Sequence, residues 1–288
     1  MTTYTIEPQT PVELETGQSS LPIPSPQDLR DQIPCRATIK ELVSSSRAEI
    51  QNILRGLDEH RLLVLCGPCS IHGTSGAFDY AQRLAKLASE VREDILLVMR
   101  TYFEKPRSIV GWKGLLYDPE LEGSSATVGG LCVARRILAS IAELGLPCAT
   151  EFLNPMLAPY QEDFLSYGSI GARTVESQIH RELAAGLDMP IGMKNNLAGE
   201  ALSSINAIKA ANRPHSFFAN DASGRPSITN VRGNPYAHIF LRGGKCPNLD
   251  SRSVQEAHTA LLSDILQRPV MLDCVTCELG QRLPSTGR

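Results

Sequence analysis

Seven short apolar segments alternate with longer amphipathic segments along this chain, and that alternation constrains the fold more than any other feature. Gly, Pro or polar residues bound each segment, and helical patterns such as FDYAQRLAKLASEV and CVARRILASIAELG fill the intervals. A parallel crossover between strands needs about a dozen residues, usually a helix, so the pattern predicts parallel β/α units. The predicted strands are residues 62–65, 95–99, 147–152, 169–172, 190–193, 238–241 and 269–272.

A doubly wound sheet and a barrel both fit this alternation, and the reactive residues help to choose between them. A doubly wound sheet binds its ligand in one crevice, whereas a barrel gathers functional groups from many strand ends at one mouth. Each predicted strand here has a chemically capable residue at or just after its end, which favours a TIM-type (β/α)8 barrel. These residues are Cys69, Arg100, Glu151, Arg173, Lys194, Arg242 and Asp273.

Four of the predicted mouth residues are basic, and the EKPR segment adds Lys105 and Arg107. Arginine binds phosphate and carboxylate oxygens in pairs, while lysine acts as a point charge. For a single arginine, a surface ion pair is the alternative interpretation. Six cations that converge on one mouth instead predict a strongly anionic substrate that carries phosphate and carboxylate groups.

The eight cysteines, at positions 35, 66, 69, 132, 148, 246, 274 and 277, lie in a chain without a secretory signal, which predicts mostly buried, reduced thiols. Two C-x-x-C pairs leave open a thiol redox motif or a shared zinc site, although their separation far exceeds zinc-ribbon spacing. Cys69, at a predicted strand end, could bind a divalent metal as thiolate, with simple packing as the alternative. We interpret His72, His180, His215 and His238 as structural or exposed residues.

Composition excludes several classes of function. The formal net charge of -3 and the pI near 6.1 leave no basic surplus for nucleic-acid binding. No apolar run approaches the roughly 20 residues that span a bilayer, and the N-terminus lacks transit-peptide features, so we expect a cytoplasmic protein. Residues 1–36, rich in Pro, Ser, Thr and Gln, predict a poorly structured arm before a catalytic domain over residues 37–274.

Several segments closely resemble the type I, metal-dependent 3-deoxy-7-phosphoheptulonate (DAHP) synthases. They are GPCSIH, VMRTYFEKPR, GWKGLLYDP, TEFL, SIGARTVESQIHRELAAGL, LRGGK and MLD, and the resemblance runs over roughly residues 25 to 274. It implies a transferase that condenses phosphoenolpyruvate with erythrose 4-phosphate and water, the first step of the shikimate pathway to chorismate and the aromatic amino acids. The related synthases of keto-deoxy-octulosonate phosphate share the barrel but lack these EKPR and GWKGL segments.

The resemblance also implies residue roles. Arg107, with the Lys105-Pro106 turn, would take the aldose phosphate, and Cys69 would be the first ligand of a Mn, Fe, Co or Zn ion. Lys105, Glu151 and Lys194 would be catalytic, with Glu151 orienting groups and water. Phosphoenolpyruvate would be held by Arg100, Lys105, Arg173, Lys194 and Arg242.

The C-terminal part departs from the family pattern. There, the seventh strand leads into a Ser-His-Ala-Asn-Ser segment whose His binds metal, and an eighth strand and its loop supply a Glu and an Asp. Residues 275–288 match none of this, so we expect an incomplete barrel of about seven strands, a missing metal shell and doubtful activity. The alternative is a non-catalytic paralogue, in a homo-oligomer or bound to a complete synthase.

Overall fold

The structure is a computed structural model that describes residues 12–13, 19–123, 126–263 and 269–274. Its helices are α1 (Pro26–Gln32), α2 (Ala37–Leu54), α3 (Thr74–Val91), α4 (Thr127–Glu143), α5 (Gln178–Gly186), α6 (Leu202–Ala211) and α7 (Ser251–Ser263). Two 3-10 turns, Pro155–Tyr160 and Glu162–Phe164, lie between α4 and α5. Within the described ranges, no helix is long and apolar enough to cross a membrane.

The strands form one large parallel sheet and two small antiparallel pairs. In chain order they are β1 (Val12–Glu13), β2 (Ser19–Ser20), β3 (Leu62–Cys66), β4 (Ile95–Arg100), β5 (Cys148–Glu151), β6 (Leu165–Ile170), β7 (Ile191–Lys194), β8 (His215–Asn220), β9 (Pro226–Val231), β10 (Ala237–Leu241) and β11 (Val270–Leu272). The large sheet has the order β11-β10-β7-β6-β5-β4-β3, and all of its pairings are parallel. The seven predicted parallel strands are thereby confirmed.

The large sheet is curled, which gives the α/β barrel architecture predicted from the sequence. Its two edge strands in the described part, β3 and β11, line opposite sides of one cavity of about 510 Å³. In a flat sheet of seven strands the edges would lie far apart, because neighbouring strands are spaced about 4.8 Å. The described residues therefore form seven strands of a barrel, with the helices outside.

Side chains alternate between two packing layers because successive residues of a strand point to opposite faces. The outer layer packs the sheet against the surrounding helices. The inner layer includes Val98, Ala149 and Tyr167, and α2 adds Ile50. Inside the barrel, the Tyr167 hydroxyl lies 3.0 Å from Nε2 of His238. This partner fits the interpretation of His238 as a structural residue.

The N-terminal arm is more ordered than predicted, because α1 lies within it. Ser25 and Asp28 form a reciprocal capping box, and Pro26 occupies the first helical turn, where its missing N–H costs nothing. Further along, the buried Arg135 of α4 forms a bidentate ion pair with Asp163 at 2.7 and 2.6 Å. Arg135 also donates to the carbonyl of Ile33, so it ties this N-terminal region to the barrel.

Other predictions need correction. The strand expected at residues 169–172 is β6, which begins at Leu165, because its buried Ser and Gly residues hide the apolar signal. The hairpin of β8 and β9 was not predicted, since polar residues alternate through both strands. The expectation of mostly buried thiols holds only in part for the described cysteines. Cys35, Cys132 and Cys148 are buried and Cys66 is half-buried, whereas Cys69, Cys246 and Cys274 are exposed after strand ends. Cys277 and the tail 275–288 lie outside the described residues.

Candidate active site

The seven predicted functional residues all lie at the carboxyl ends of the parallel strands. Because parallel strands end at the same edge, these ends form one mouth. Arg242 and Asp273 directly follow β10 and β11, and Cys69 and Arg173 lie in the loops after β3 and β6. The last residues of β4, β5 and β7 are Arg100, Glu151 and Lys194.

An ion pair between Lys194 and Glu151 lies at the centre of this mouth. Their side chains are only 10% and 11% exposed. Burial disfavours the ammonium form of Lys194, but the Glu151 carboxylate outweighs that cost, with help from Asp273, and the net pKa of Lys194 is raised. Lys194 therefore remains a cation at neutral pH.

The ring of Tyr102 brings two of the mouth cations together. The guanidinium carbon of Arg100 lies 4.3 Å from the ring centroid, and Nζ of Lys194 lies 5.5 Å from it. Lys194 also lies 5.4 Å from the ring of Phe240. Nε of Arg100 is buried and has no hydrogen-bond partner among the described residues. A buried donor without an acceptor costs free energy, and a bound anion would supply that acceptor. The arrangement can bind an anion in a partly apolar cavity.

Lys105 and Cys69 form a second group at the mouth. Nζ of Lys105 donates to Sγ of Cys69 at 2.8 Å, and Cys69 is exposed. A thiolate is a good ligand for a transition metal, but one sulfur does not define a coordination geometry. Among the described residues, no three His, Cys, Asp or Glu side chains come close enough to hold a metal ion. Cys66 and Cys69 therefore do not belong to a zinc site within the described part.

The loop after β4 carries the remaining predicted cations. The Lys105 amide donates to the Lys113 carbonyl at 2.8 Å, so the loop folds back on itself. Nε of Arg107 donates to the Trp112 carbonyl at 2.7 Å. Nη2 of Arg173 donates to the Ser108 hydroxyl at 3.1 Å, which links the loops after β4 and β6. Pro106, between Lys105 and Arg107, restricts the backbone of this turn.

Gly114 permits the closest approach in this loop. Its φ is +112°, and a Cβ built there would lie 2.1 Å from the Phe103 carbonyl oxygen. Glycine is required at such a position because it has no Cβ and tolerates positive φ.

Glu104 is a site residue that the sequence reasoning missed. Its carboxylate accepts from the Tyr117 hydroxyl at 3.1 Å and from the amides of Leu153 and Asn154 at 3.3 and 3.4 Å. Burial raises its pKa to about 7, and the nearby charge of Glu151 adds to the increase, against the opposing effect of the hydrogen bonds. The sequence signal for Glu104 was its position directly before Lys105, a predicted site residue.

Asn195 is a second missed residue. It is fully buried directly after Lys194, and its Oδ1 accepts from the Arg242 amide at 2.8 Å. Its Nδ2 donates to the Gly243 carbonyl at 2.9 Å. Asn195 thereby fixes the backbone of the Arg242 loop relative to Lys194. The sequence signal for Asn195 was an amide side chain at a predicted strand end, where it can hydrogen-bond the backbone N–H and C=O groups of a loop.

Three contact groups therefore make up the predicted site. The first group is Arg100, Glu151 and Lys194, which lie around Tyr102. The second is Lys105 with Cys69. The third is the loop of Arg107, in which Ser108 accepts a hydrogen bond from Arg173. Arg242 is tied to the first group through its backbone and Asn195. All six predicted cations are at the mouth, as an anionic substrate requires.

Comparisons with known proteins agree with this geometry. The sequence model described as "DAHP synthetase I family" matches residues 36–281. A Salmonella typhimurium protein named "Phospho-2-dehydro-3-deoxyheptonate aldolase, Tyr-sensitive" is 44% identical over 250 residues, which are 87% of this chain and 70% of that protein. A Trp-sensitive relative of the same name from Escherichia coli is 44% identical over 86% of this chain and 71% of its own length.

A solved structure also resembles the fold. It is a phospho-2-dehydro-3-deoxyheptonate aldolase from Francisella tularensis, with a TM-score of 0.86 and 41% sequence identity. The match covers 88% of this chain and 75% of that one.

Proposed function

This chain belongs to the DAHP synthetase I family, and from that membership we propose that its mouth residues carry out 3-deoxy-7-phosphoheptulonate synthesis. The reaction condenses phosphoenolpyruvate with erythrose 4-phosphate and water and releases inorganic phosphate, at the entry to aromatic amino-acid biosynthesis. The observation that carries this proposal is the pair of cations around Tyr102, with the unsatisfied Nε of Arg100 beside the buried Lys194.

Phosphoenolpyruvate carries a phosphate and a carboxylate close together, which matches cations on several strand ends. Arg100 and Lys194 would bind it beside the Tyr102 ring, and the Asn195 contact holds the Arg242 loop next to them. Arg173 and Lys105 would complete the set from their loops. Low exposure strengthens these charge interactions because less water competes for the anion.

The aldose phosphate would bind to Arg107 beside the Lys105-Pro106 turn. The Trp112 carbonyl orients the Arg107 side chain, while Ser108 links this loop to Arg173. The two substrates would then meet between the loop and the strand ends. This placement converts an encounter of two molecules into a reaction within one complex.

The chain's own residues have distinct tasks in this reaction. A carbon–carbon bond forms between the enol carbon and the aldehyde carbon, and Lys105 donates a proton to the aldehyde oxygen as it becomes a hydroxyl. Water adds to the phosphate-bearing carbon and returns one proton to Lys105; the C–O bond to phosphate then breaks as this carbon becomes a ketone, and the second water proton leaves with inorganic phosphate. Glu151 orients Lys194 and the water, and Lys194 offsets the carboxylate charge of the substrate.

The family implies a divalent metal in general, and we propose Cys69 as one ligand of a Mn, Fe, Co or Zn ion. The described residues do not fit a complete site, because no three His, Cys, Asp or Glu side chains are grouped among them to hold a metal ion. A metal shell on this chain would need groups beyond those described.

A direct assay tests the proposal. The purified 288-residue chain, with added Mn²⁺, would be incubated with both substrates while phosphate release and heptulosonate formation are followed together. Equal amounts of the two products support the proposed reaction. Substrate-dependent formation of neither product, by a protein shown to be folded, would contradict it. The variant Arg100→Met should lose most of the activity, whereas Arg83→Met, in an exposed helical ion pair, should not.

A second candidate function is association with a complete synthase as a non-catalytic subunit. The end strands of the sheet formed by the described residues, β3 and β11, favour it, because a strand edge without a neighbour pairs readily with other chains. Size-exclusion chromatography with a full-length synthase, alone and mixed, would detect such a complex. We propose a cytosolic location for either role, since free thiols such as Cys69 suit a reducing compartment.

A further inference from the structure

Glu104 connects two parts of the active site that are distant in sequence. It belongs to the loop after β4, and its carboxylate accepts hydrogen bonds from the backbone amides of Leu153 and Asn154, just beyond the end of β5. The Tyr117 hydroxyl, from the far side of the same loop, donates to the other carboxylate oxygen at 3.1 Å. Only 6% of Glu104 is exposed. The carboxylate is thus held by three donors away from solvent.

These contacts are placed where they control the substrate-binding loop. Glu104 directly precedes Lys105, and the amides it binds lie two and three residues after Glu151. Asn154 also donates through Nδ2 to the Tyr117 hydroxyl at 3.3 Å, so the loop and the β5 end share a small network. If these hydrogen bonds were lost, the loop would keep fewer contacts with the β5 end.

Hydrogen bonds rather than an ion pair hold Glu104. No described basic side chain forms a salt bridge with it, in contrast to Glu151, which pairs with Lys194. The titratable groups that face it are Tyr117 of its own loop and Glu151 of β5, and Lys113 lies over the Tyr117 ring at 5.8 Å from the centroid. Both backbone amides donate to Oε2, so a carboxyl protonated on Oε1 keeps these two bonds and can donate to the Tyr117 hydroxyl, whereas ionisation leaves a buried charge without an ion-pair cation in the described part.

We propose that Glu104 is a positioning residue whose carboxyl group fixes the Lys105–Arg107 loop to the end of β5, and that ionisation of this group loosens the loop. The attachment depends on the geometry alone, while its effect on turnover rests on the proposed function. With a carboxyl pKa of about 7, raised mainly by burial, the loop is held below neutral pH and is released more often above it, because proton binding favours the state with the higher pKa. Binding of the aldose phosphate therefore weakens in mild alkali.

Limited proteolysis tests the attachment without any substrate. Trypsin can cut after Arg107, which is exposed, but cuts poorly after Lys105 because a proline follows. When opening is fast, the cleavage rate follows the population of the open loop. The wild type should be cut about tenfold faster at pH 8 than at pH 6, after correction with a reference peptide, because ionisation of Glu104 favours the open loop. The variant Glu104→Gln, whose neutral amide oxygen can still accept both backbone bonds, should be cut as slowly at pH 8 as the wild type at pH 6.

The matched control is Glu162→Gln. Glu162 is a partly exposed carboxylate whose pKa is also raised, but it bonds Arg30 and lies away from the loop. It should leave the cleavage rate after Arg107 and its pH dependence unchanged. Equal rates for wild type and Glu104→Gln at pH 8, or slower cleavage of Glu162→Gln as well, would overturn the proposal.

Kinetics test the effect on turnover. At pH 8, Glu104→Gln should lower KM for erythrose 4-phosphate up to about tenfold relative to the wild type, with a smaller change in KM for phosphoenolpyruvate, and should remove the wild-type loss of kcat/KM above pH 7. A pH profile that Glu104→Gln leaves unaltered would contradict the positioning role. If the wild type makes no heptulosonate, the proposed function fails, while the proteolysis still decides whether Glu104 holds the loop.

Discussion

Lys194 of β7 forms its ion pair with Glu151 of β5, across the intervening strand β6. Both side chains are close to nine-tenths buried, and the pair lies beside the Tyr102 ring that also contacts Arg100. The two residues are far apart in sequence, and the order of the parallel sheet brings their strand ends within two strand spacings of each other. Loss of the pair should therefore change both the stability of the barrel and the charge of the site.

Breaking this pair should destabilise the protein as well as remove activity. Lys194→Met leaves the Glu151 carboxylate buried without its cation, which should cost about 3–5 kcal/mol in the free energy of unfolding. Adding Glu151→Leu should recover a large part of that loss, because the unpaired charge is then gone. Urea unfolding of the wild type, both single variants and the double variant measures the coupling. Additive losses would show that the pair is not coupled.

The free energy of unfolding should depend on Glu104 through pH. Its pKa is about 7 in the folded chain and 4.5 as its ordinary value, so the folded state binds more protons between these values. Its stabilising contribution is present below pH 4.5 and is lost as the pH rises through 7. The wild type should therefore lose up to about 3 kcal/mol more than Glu104→Gln between pH 4.5 and pH 8. Parallel urea titrations of both proteins check this, and identical pH dependence would contradict it.

The ion pair of the buried Arg135 with Asp163 should contribute more to the free energy of unfolding than an exposed ion pair does. Arg135 is 1% exposed and also bonds the Ile33 and Tyr160 carbonyls, so Arg135→Leu should cost about 3–5 kcal/mol. Arg36 and Glu143 are 71% and 48% exposed, and Arg36→Ala, the control, should cost less than about 1 kcal/mol. Thermal unfolding of the two variants compares them. Similar losses would mean that burial does not decide the cost.

Alanine at Gly114 should disrupt the loop that carries Lys105 and Arg107. Its Cβ would lie 2.1 Å from the Phe103 carbonyl oxygen, so the backbone must move. We expect Gly114→Ala to lower substrate affinity at least about tenfold. Gly123→Ala is the control: it has a φ of +72° but open space around it, so it should cost only about 1 kcal/mol in stability. Equal effects of the two variants on substrate affinity would refute the steric explanation.

Cys69 should be the cysteine that governs metal binding. If it is a ligand, Cys69→Ser should reduce the Co²⁺ retained after dialysis and abolish the thiolate-to-cobalt absorption band. Cys246→Ser, at another exposed cysteine, should change neither. Spectra of the three proteins at equal metal loading measure this. A cobalt band that survives in Cys69→Ser would remove Cys69 from the proposed ligand set.

The predictability of each element follows from its local chemistry. Strand β4, with the sequence ILLVMR, was found from its apolar run, and the buried Ile191–Lys194 strand in the same way. The predicted position of strand β6 was wrong because its small Ser and Gly residues interrupt the apolar run. The β8–β9 hairpin was missed because β8 has no row of buried apolar residues. Helix α1 was missed although its Ser-Pro-x-Asp cap is a local signal. Glu104 was missed because its function depends on partners beyond the next strand.

The sequence by itself determined the seven strands, the residues at their ends and the anionic class of substrate, because apolar periodicity and residue charge are local properties. Tertiary structure alone decided which of these residues meet. It paired Lys194 with Glu151 rather than with a neighbouring residue, placed Tyr102 between two cations, and attached Glu104 to the amides of Leu153 and Asn154. These pairings depend on the curl and register of the sheet, which arise from packing among residues far apart in the chain.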